Sequence, residues 1–577
     1  MYKIQIDDRT YKSYKVYDSL KLTETNLTLN NLVSNKLFNG DIFDYDKETK
    51  KLTIAHSSIR CLKTIPGVLV LTDNKEYGRK DNNRFYYKCV PDDKRLPPFL
   101  VPYKKPIGFN KKQPNKYVVF QFHAWDQKFP VGTLVNVLGC VTKLENFDEY
   151  QLYCKSLYAS IQNFNKATVH KLKHKSSKIF IEDIINKHDP EDRTNWDVYT
   201  IDPVNSKDFD DAFSIIEVGR DQFLISIYIA NTTLWLDIMD LWDSFSERIA
   251  TIYLPDRKRP MLPTVLSDTI CSLCENERRF AFTLDLYYDV NKKNIIKWNF
   301  KNTMIRVNRN FRYDTEEQET NKDYLLLKDV IREMNKTYTY VSNINSSHDV
   351  IAYLMILMNY KTAQFMKESE IGIYRSVEVN NEKNIPEDIS DDVKMFLKMW
   401  NSFGSNYVKY DNIKGHDLLN FDAYVHITSP IRRLVDMLNL IEIQHKLCLV
   451  IKNEKINKFY EYWTSNDKFE YINTTMRSIR KVQNDCSLLH MCSTDSSILN
   501  RQWDGYVFDK ITRNDGLYQY MIYIKSLKMV NRITSRHDLK NMSEHKFKIY
   551  VFIDENRLKQ KIRLELIMPD SEEKQTK

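Results

Sequence analysis

Asp202, Asp208, Asp210 and Asp211 put four carboxylates within ten residues, in the stretch Asp202-Pro203-Val204-Asn205-Ser206-Lys207-Asp208-Phe209-Asp210-Asp211. Like charges held this close repel one another unless a cation neutralises them. Hard oxygen donors of this kind select Mg²⁺ or Mn²⁺ over thiol-seeking metals. Three readings compete: an acidic surface turn, a calcium loop, and a catalytic metal site where a metal activates water and clamps a leaving oxygen. The calcium loop fails. Counted from Asp208, its sixth position is Phe213 where Gly is wanted, and its twelfth is Gly219 where a bidentate Glu is wanted. Spacing alone leaves the other two readings open.

A second stretch, Thr428-Ser429-Pro430-Ile431-Arg432-Arg433 with Asp436, suits an anion. Ser429 is a candidate N-cap and Pro430 suits a first helical position, so a helix is predicted to open at Ser429. Arg432 and Arg433 then fall in its first turn, where cations oppose the helix dipole. A bound phosphate would relieve that cost, since helix N-termini favour anions. Pairing with Asp436 accounts for one of the two arginines and leaves the other unexplained.

Thr200-Ile201-Asp202-Pro203 through Asp208-Phe209-Asp210-Asp211-Ala212 resembles the signature of the ribonuclease II (RNB) family. Three further blocks follow in the family's order. They are Arg248 to Pro255 running on to Pro260-Met261-Leu262-Pro263, then Leu266-Ser267 with Cys271-Ser272-Leu273, and the Thr428–Arg433 block. The resemblance implies a processive-type 3′→5′ exoribonuclease that hydrolyses single-stranded RNA to nucleoside 5′-monophosphates with Mg²⁺, Mn²⁺ being the alternative ion. It implies metal ligation by Asp202, Asp208 and Asp211, with Asp210 on a second metal or the attacking water. Arg432 would bind the scissile or neighbouring phosphate, and Arg433 would also contact RNA. Tyr253 would stack on the 3′-terminal base. Tyr313, in Phe311-Arg312-Tyr313-Asp314, matches the aromatic that sets the final product length.

The elements that must position these residues are predicted as an α+β, multi-domain chain, with OB-type β-barrels flanking a central mixed α/β RNB catalytic domain. The divisions are an arm at 1–33, cold-shock/OB-like barrels at 34–86 and 87–160, and a basic linker at 161–189. The catalytic domain follows at 190–495, then an S1-like OB barrel at 496–570 and a charged tail. Short β-type runs separated by Asn, Asp, Gly and Pro give 34–160 an all-β character; Val90 to Pro97, Ala124-Trp125-Asp126 with Phe129-Pro130-Val131-Gly132, and Leu138-Gly139 resemble the paired cold-shock barrels of the family's eukaryotic branch. Lys104, Lys105, Lys111 and Lys112 beside Tyr103 and Tyr117 supply cations and stacking faces for single strands.

The 577 residues carry a net charge of +9, compatible with a polyanionic partner. No apolar run reaches membrane-spanning length, and nine scattered Cys argue for a reducing compartment, here taken as cytoplasmic. Single-stranded RNA is the expected partner of a monomer that could join an RNA-processing complex, with no membrane involved. A metal at Cys271-Ser272-Leu273-Cys274 is disfavoured against a buried structural thiol. Departures from the family are Asn231 for an Asp, Ala352-Tyr353 for Glu-Glu, and Leu440 near a missing His. They keep a rival alive, a non-catalytic RNA-binding protein of the same architecture; a metal-dependent DNase is a third alternative. With only some 33 residues before the barrels, a second, endonucleolytic activity is not expected.

Overall fold

The computed structural model describes residues 1–29, 32–46, 48–80, 84–106, 113–380 and 385–568. It divides into two compact units. One holds Ala159–Tyr253 and Lys258–Arg477; the other holds Met1–Tyr158, Leu254–Arg257 and the chain from Ser478 onward.

The first unit is built on a closed five-stranded barrel of Glu191–Asp202, Asp211–Gly219, Gln222–Ala230, Arg278–Asp289 and Asn294–Arg312. The first strand runs parallel to the last, from Glu191 opposite Thr303 to Asp202 opposite Arg312, and closes the cylinder. Asp202 ends one strand and Asp211 begins the next, so the acidic stretch is the loop joining two barrel neighbours. Pro203, with no N–H to give a ladder, ends the first strand. Along Gln222–Ala230 the residues from Leu224 on are all buried, because one face fills the barrel and the other meets helices. Ile225, Ile227 and Ile229 pack there with Leu327, Ile331, Leu354 and Leu357 of helices Lys322–Thr337 and Ser347–Glu368. The second helix opens on a capping box in which Ser346 and Asp349 satisfy each other's backbone N–H groups.

Three expectations are corrected. The helix predicted to open at Ser429 begins at Leu434 and runs to Lys446, with Arg433 as its N-cap. Residues 429–432 form a turn instead, because main-chain pairing with the segment Ile249–Thr251 competes for them. Thr251 N–H donates to the Arg432 carbonyl at 3.0 Å and Leu434 N–H to the Ile249 carbonyl at 2.9 Å. The basic linker is two helices, Gln162–His174 and Ser177–His188, whose Phe164, Phe180, Ile181 and Ile184 join the core of this unit. The third correction concerns residues 1–33, which are no arm. Tyr2–Ile6 and Tyr14–Asp18 are strands of a four-stranded sheet completed by Ile42–Tyr45 and Leu52–His56. Ile4, Ile6, Val16 and Leu29 lie in one core with Phe38, Phe99 and Trp125.

The second unit continues with a six-stranded sheet from Ile65–Leu69 to Val131–Cys140. Its strand Ile65–Leu69 pairs with both Arg84–Pro91 and Lys116–Ala124, so a boundary at residue 86 would cut through the sheet. Pairing so distant in sequence has no local signature. The C-terminal segment folds as a five-stranded sheet, Trp503–Thr512 to Lys559–Leu566. Within this unit Arg557 Nε donates to the Asp92 carbonyl at 3.0 Å, and His490 lies 2.9 Å from Asp148. Among the described residues, no helix is long and apolar enough to cross a membrane.

Candidate active site

The acidic loop is clamped from the side of the Cys271-Ser272-Leu273 block. Ser272 Oγ accepts the Phe209 N–H at 2.9 Å and donates to the Lys207 carbonyl at 2.7 Å. Leu273 N–H donates to the Phe209 carbonyl at 3.1 Å. With Phe209 buried as the loop's anchor, the aspartates on either side of it turn to a cavity of about 890 Å³. Its walls include all four carboxylates, Tyr253, Lys258, Tyr313, His426, Arg432 and Arg433.

The four carboxylates meet different fates. Asp210 is 2% exposed; one oxygen accepts the Ile431 N–H at 2.9 Å and the other accepts Arg432 Nε at 2.9 Å. Burial pushes its carboxyl up to about 7, against the pull of Arg432. Asp208 likewise has a donor on each oxygen. Tyr253 Oη donates to one oxygen at 2.9 Å and Lys258 Nζ to the other at 2.9 Å. Asp202 keeps Oδ2 buried with no hydrogen-bond partner, and burial lifts its carboxyl to about 6. Asp211 is pushed well above the carboxylate range by burial and by the charges of Asp202 and Asp210, with only the Arg432 charge opposing.

The unpartnered Oδ2 of Asp202 and the crowded charge of Asp211 beside it suit a hard divalent cation. Among the described residues no three His, Cys, Asp or Glu side chains form a cage for a metal ion. Two carboxylates are nevertheless what Mg²⁺ commonly takes from a protein, since it keeps several waters and draws other ligands from substrate phosphates.

Arg432 stands beside this pair. Nη2 donates to Ser429 Oγ at 2.9 Å, and the side chain remains 43% exposed, so donors are left for an anion in the cavity. Arg433 turns elsewhere. Its Nη2 donates to Asp436 Oδ1 at 2.8 Å, and Asp436 also accepts the Ser429 N–H at 2.8 Å. Asp436 therefore pairs with Arg433 and holds the turn. The Arg433 Nη1 lies 3.3 Å from His426 Nδ1, and burial with the Arg433 and Arg375 charges keeps that imidazole well below its ordinary pKa.

Tyr253 is 39% exposed at the cavity, and Tyr313 lines it with its ring stacked on His348 at 3.7 Å. Lys104 and Lys105 belong to the other unit, where Lys105 Nζ sits 4.7 Å from the centre of the Tyr87 ring. Lys111 and Lys112 lie outside the described residues. Of the positions where the family's residues differ, Asn231 is buried, donating to Asn302 at 3.0 Å and Gln444 at 2.8 Å. Ala352 is exposed, whereas Tyr353 and Leu440 lie in the core. From that helix Ile351 and Met355 line the cavity instead. Cys271 is buried, its thiol pushed up to about 12 by burial.

Sequence reading missed Lys258, Asp268 and His426. Lys258 had a signal: the hairpin of the Tyr253–Pro263 block sets Tyr253 directly opposite Lys258, so both side chains reach Asp208. His426 precedes the Thr428–Arg433 block by two positions and carried none.

Four blocks far apart in sequence thus make one site, the acidic loop clamped by the Cys-Ser-Leu block and the arginine turn paired with Ile249–Thr251. The RNB domain model matches residues 191–324 and 316–448, and the Dis3-like cold-shock domain 2 model matches 86–147. Residues 191–448 of this chain thus carry an RNB domain. It is 28% identical over 280 residues to DIS3-like exonuclease 2 of Schizosaccharomyces pombe, covering 46% of this chain and 29% of that relative. The matched stretch therefore spans under a third of that protein. In fold, the RNB chain is similar to Mycoplasma genitalium RNase R in complex with ribose-methylated single-stranded RNA, at TM-score 0.71 and 15% identity, covering 98% of this chain and 100% of that one. Its fold is also similar to yeast Ssd1, a pseudonuclease, at TM-score 0.57 and 13% identity, covering 95% and 80%.

Proposed function

We propose that this RNB chain is a divalent-metal-dependent exoribonuclease that hydrolyses single-stranded RNA from its 3′ end to nucleoside 5′-monophosphates. The observation that carries this reading is the excess of charge at one cavity: four carboxylates line it with Arg432, and Asp202 Oδ2 is buried without a partner. A surface turn would leave its aspartates in water, each near its ordinary pKa.

Asp202 and Asp211 would hold the ion, Mg²⁺ or Mn²⁺. Bound there, it would supply a water of lowered pKa and neutralise a phosphate oxygen. Asp210 holds the guanidinium of Arg432 through Nε and Ser429 holds it through Nη2, so the N–H groups still free need no reorganisation when charge builds on the phosphate. Tyr253 offers an exposed ring beside Asp208 on which a terminal base can stack. RNA is favoured over DNA where a protein donor or acceptor meets the 2′-OH.

The likeness in fold to a pseudonuclease supports a second reading, an RNA-binding protein without turnover. A 5′-labelled oligoribonucleotide incubated with Mg²⁺ or EDTA separates the two. The exonuclease shortens the label progressively in Mg²⁺ alone and leaves a circular RNA intact. RNA that is bound but never shortened would establish the second reading.

A further inference from the structure

Lys258 is the one cation other than Arg432 whose hydrogen bond to an acidic-loop carboxylate is resolved among the described residues. Its Nζ lies 2.9 Å from Asp208 Oδ1 and 2.8 Å from Asp268 Oδ1, with side-chain exposures of 25%, 8% and 11% for Lys258, Asp208 and Asp268. Asp268 Oδ1 also accepts from Ser267 Oγ at 2.5 Å. The ammonium is therefore held from two sides, and Tyr253 consumes the other oxygen of Asp208. The backbone builds this arrangement. Tyr253 and Lys258 are cross-strand partners, so one two-residue pairing delivers a hydroxyl and an ammonium to the same carboxylate.

We propose that Lys258 is a positioning residue that serves as the resident counter-ion of Asp208, so that the protein without RNA holds one divalent ion, on Asp202 and Asp211, rather than two. This rests on the metal-dependent reading above. A lysine ammonium is a compact point charge of the same sign as a divalent cation, and it neutralises the carboxylate charge that would draw an ion to Asp208. An ion approaching Asp208 must displace a partly buried ammonium that would then remain paired only to Asp268. Asp202 and Asp211 impose no such exchange. The aspartate that the family resemblance makes a metal ligand is thereby withdrawn from the resting metal set.

The test is a Mn²⁺ titration of the full chain without RNA, followed by loss of the free-ion electron paramagnetic resonance signal. Wild type should bind one Mn²⁺. Lys258→Met and Lys258→Gln should each bind a second, because the freed Asp208 charge recruits it, and Lys258→Arg should return the count to one. Circular dichroism selects whichever neutral variant keeps the wild-type fold. A role confined to holding the hairpin predicts lower Tm with one Mn²⁺ throughout. Two Mn²⁺ on wild type, or one on a folded neutral variant, would overturn the proposal while leaving the metal-dependent reading intact. No Mn²⁺ on any of the four proteins would overturn both.

Discussion

Two arginine–aspartate pairs, both involving the same barrel, differ in how far the arginine offsets the burial of its carboxylate. Inside the cylinder Arg193 donates to both oxygens of Asp285, at 2.8 and 2.6 Å, with both side chains 1% exposed. Ser226 Oγ donates to Asp285 at 2.7 Å and Lys301 lies 3.4 Å away. Burial alone would raise that carboxyl; the bonds and charge of Arg193 outweigh it, and Asp285 sits below the ordinary range. At the barrel's mouth Arg432 meets Asp210 at a similar distance, 2.9 Å, yet Asp210 rises to about 7. The chemistry of the pair is the same and its balance is not. Around Asp285 the bonds and charge of Arg193 outweigh burial; around Asp210 burial, aided by the Asp208 charge, outweighs Arg432.

The sharpest break between the two regions is the same substitution in each. Asp285→Asn leaves the buried Arg193 with only the partly exposed Glu191, 2.8 Å from its Nε, as counter-charge and should cost about 3 kcal/mol of stability, read as a lowered midpoint in urea. Asp210→Asn relieves repulsion and should leave the midpoint unchanged or higher. A comparable loss in both variants would erase the distinction.

Arg432→Ala should slow single-turnover hydrolysis by roughly 10²–10³-fold with little change in RNA affinity, as expected for a donor aimed at developing charge. Arg432→Lys should recover only part, since an ammonium cannot replace a planar guanidinium. Arg433→Ala should act on stability, because Arg433 pairs with Asp436 and holds the arginine turn. The opposite ranking of the two alanine variants in single-turnover rate would refute this division.

A smaller effect should appear with pH. Burial, aided by Arg375, lowers His416 to about 4, so the folded state binds fewer protons than the unfolded chain between about pH 4 and 6.5. Its contribution to stability is full above about pH 6.5 and is lost as pH falls towards 4. Relative to His416→Gln, wild type should lose about 1–2 kcal/mol between pH 7.5 and 5.5. Parallel midpoints for the two proteins would show that His416 titrates normally.

The site was more legible than the scaffold. Its residues lie in short blocks whose types are fixed by chemistry, and Asp202, Asp208, Asp210, Asp211, Tyr253, Tyr313 and Arg432 all meet at one cavity. What escaped was set by tertiary partners. Ser429 and Pro430 carry a helix start, but pairing with Ile249–Thr251 delays the helix to Leu434. Tyr2–Ile6 and Tyr14–Asp18 have weak local preference and become strands because Ile4, Ile6 and Val16 have a sheet and a core to join. Lys258 reaches Asp208 through the hairpin register that sets it opposite Tyr253.

The central claim, that the excess of carboxylates at the barrel mouth performs hydrolysis rather than architecture, is tested most directly with Asp210→Asn. Wild type and variant would be compared on one 5′-labelled oligoribonucleotide in Mg²⁺, with RNA affinity and single-turnover rate measured on the same preparations. The expected result is unchanged RNA binding, an unfolding midpoint no lower than wild type, and a rate below a few per cent of it. A variant that shortens the RNA at near wild-type rate would contradict the claim.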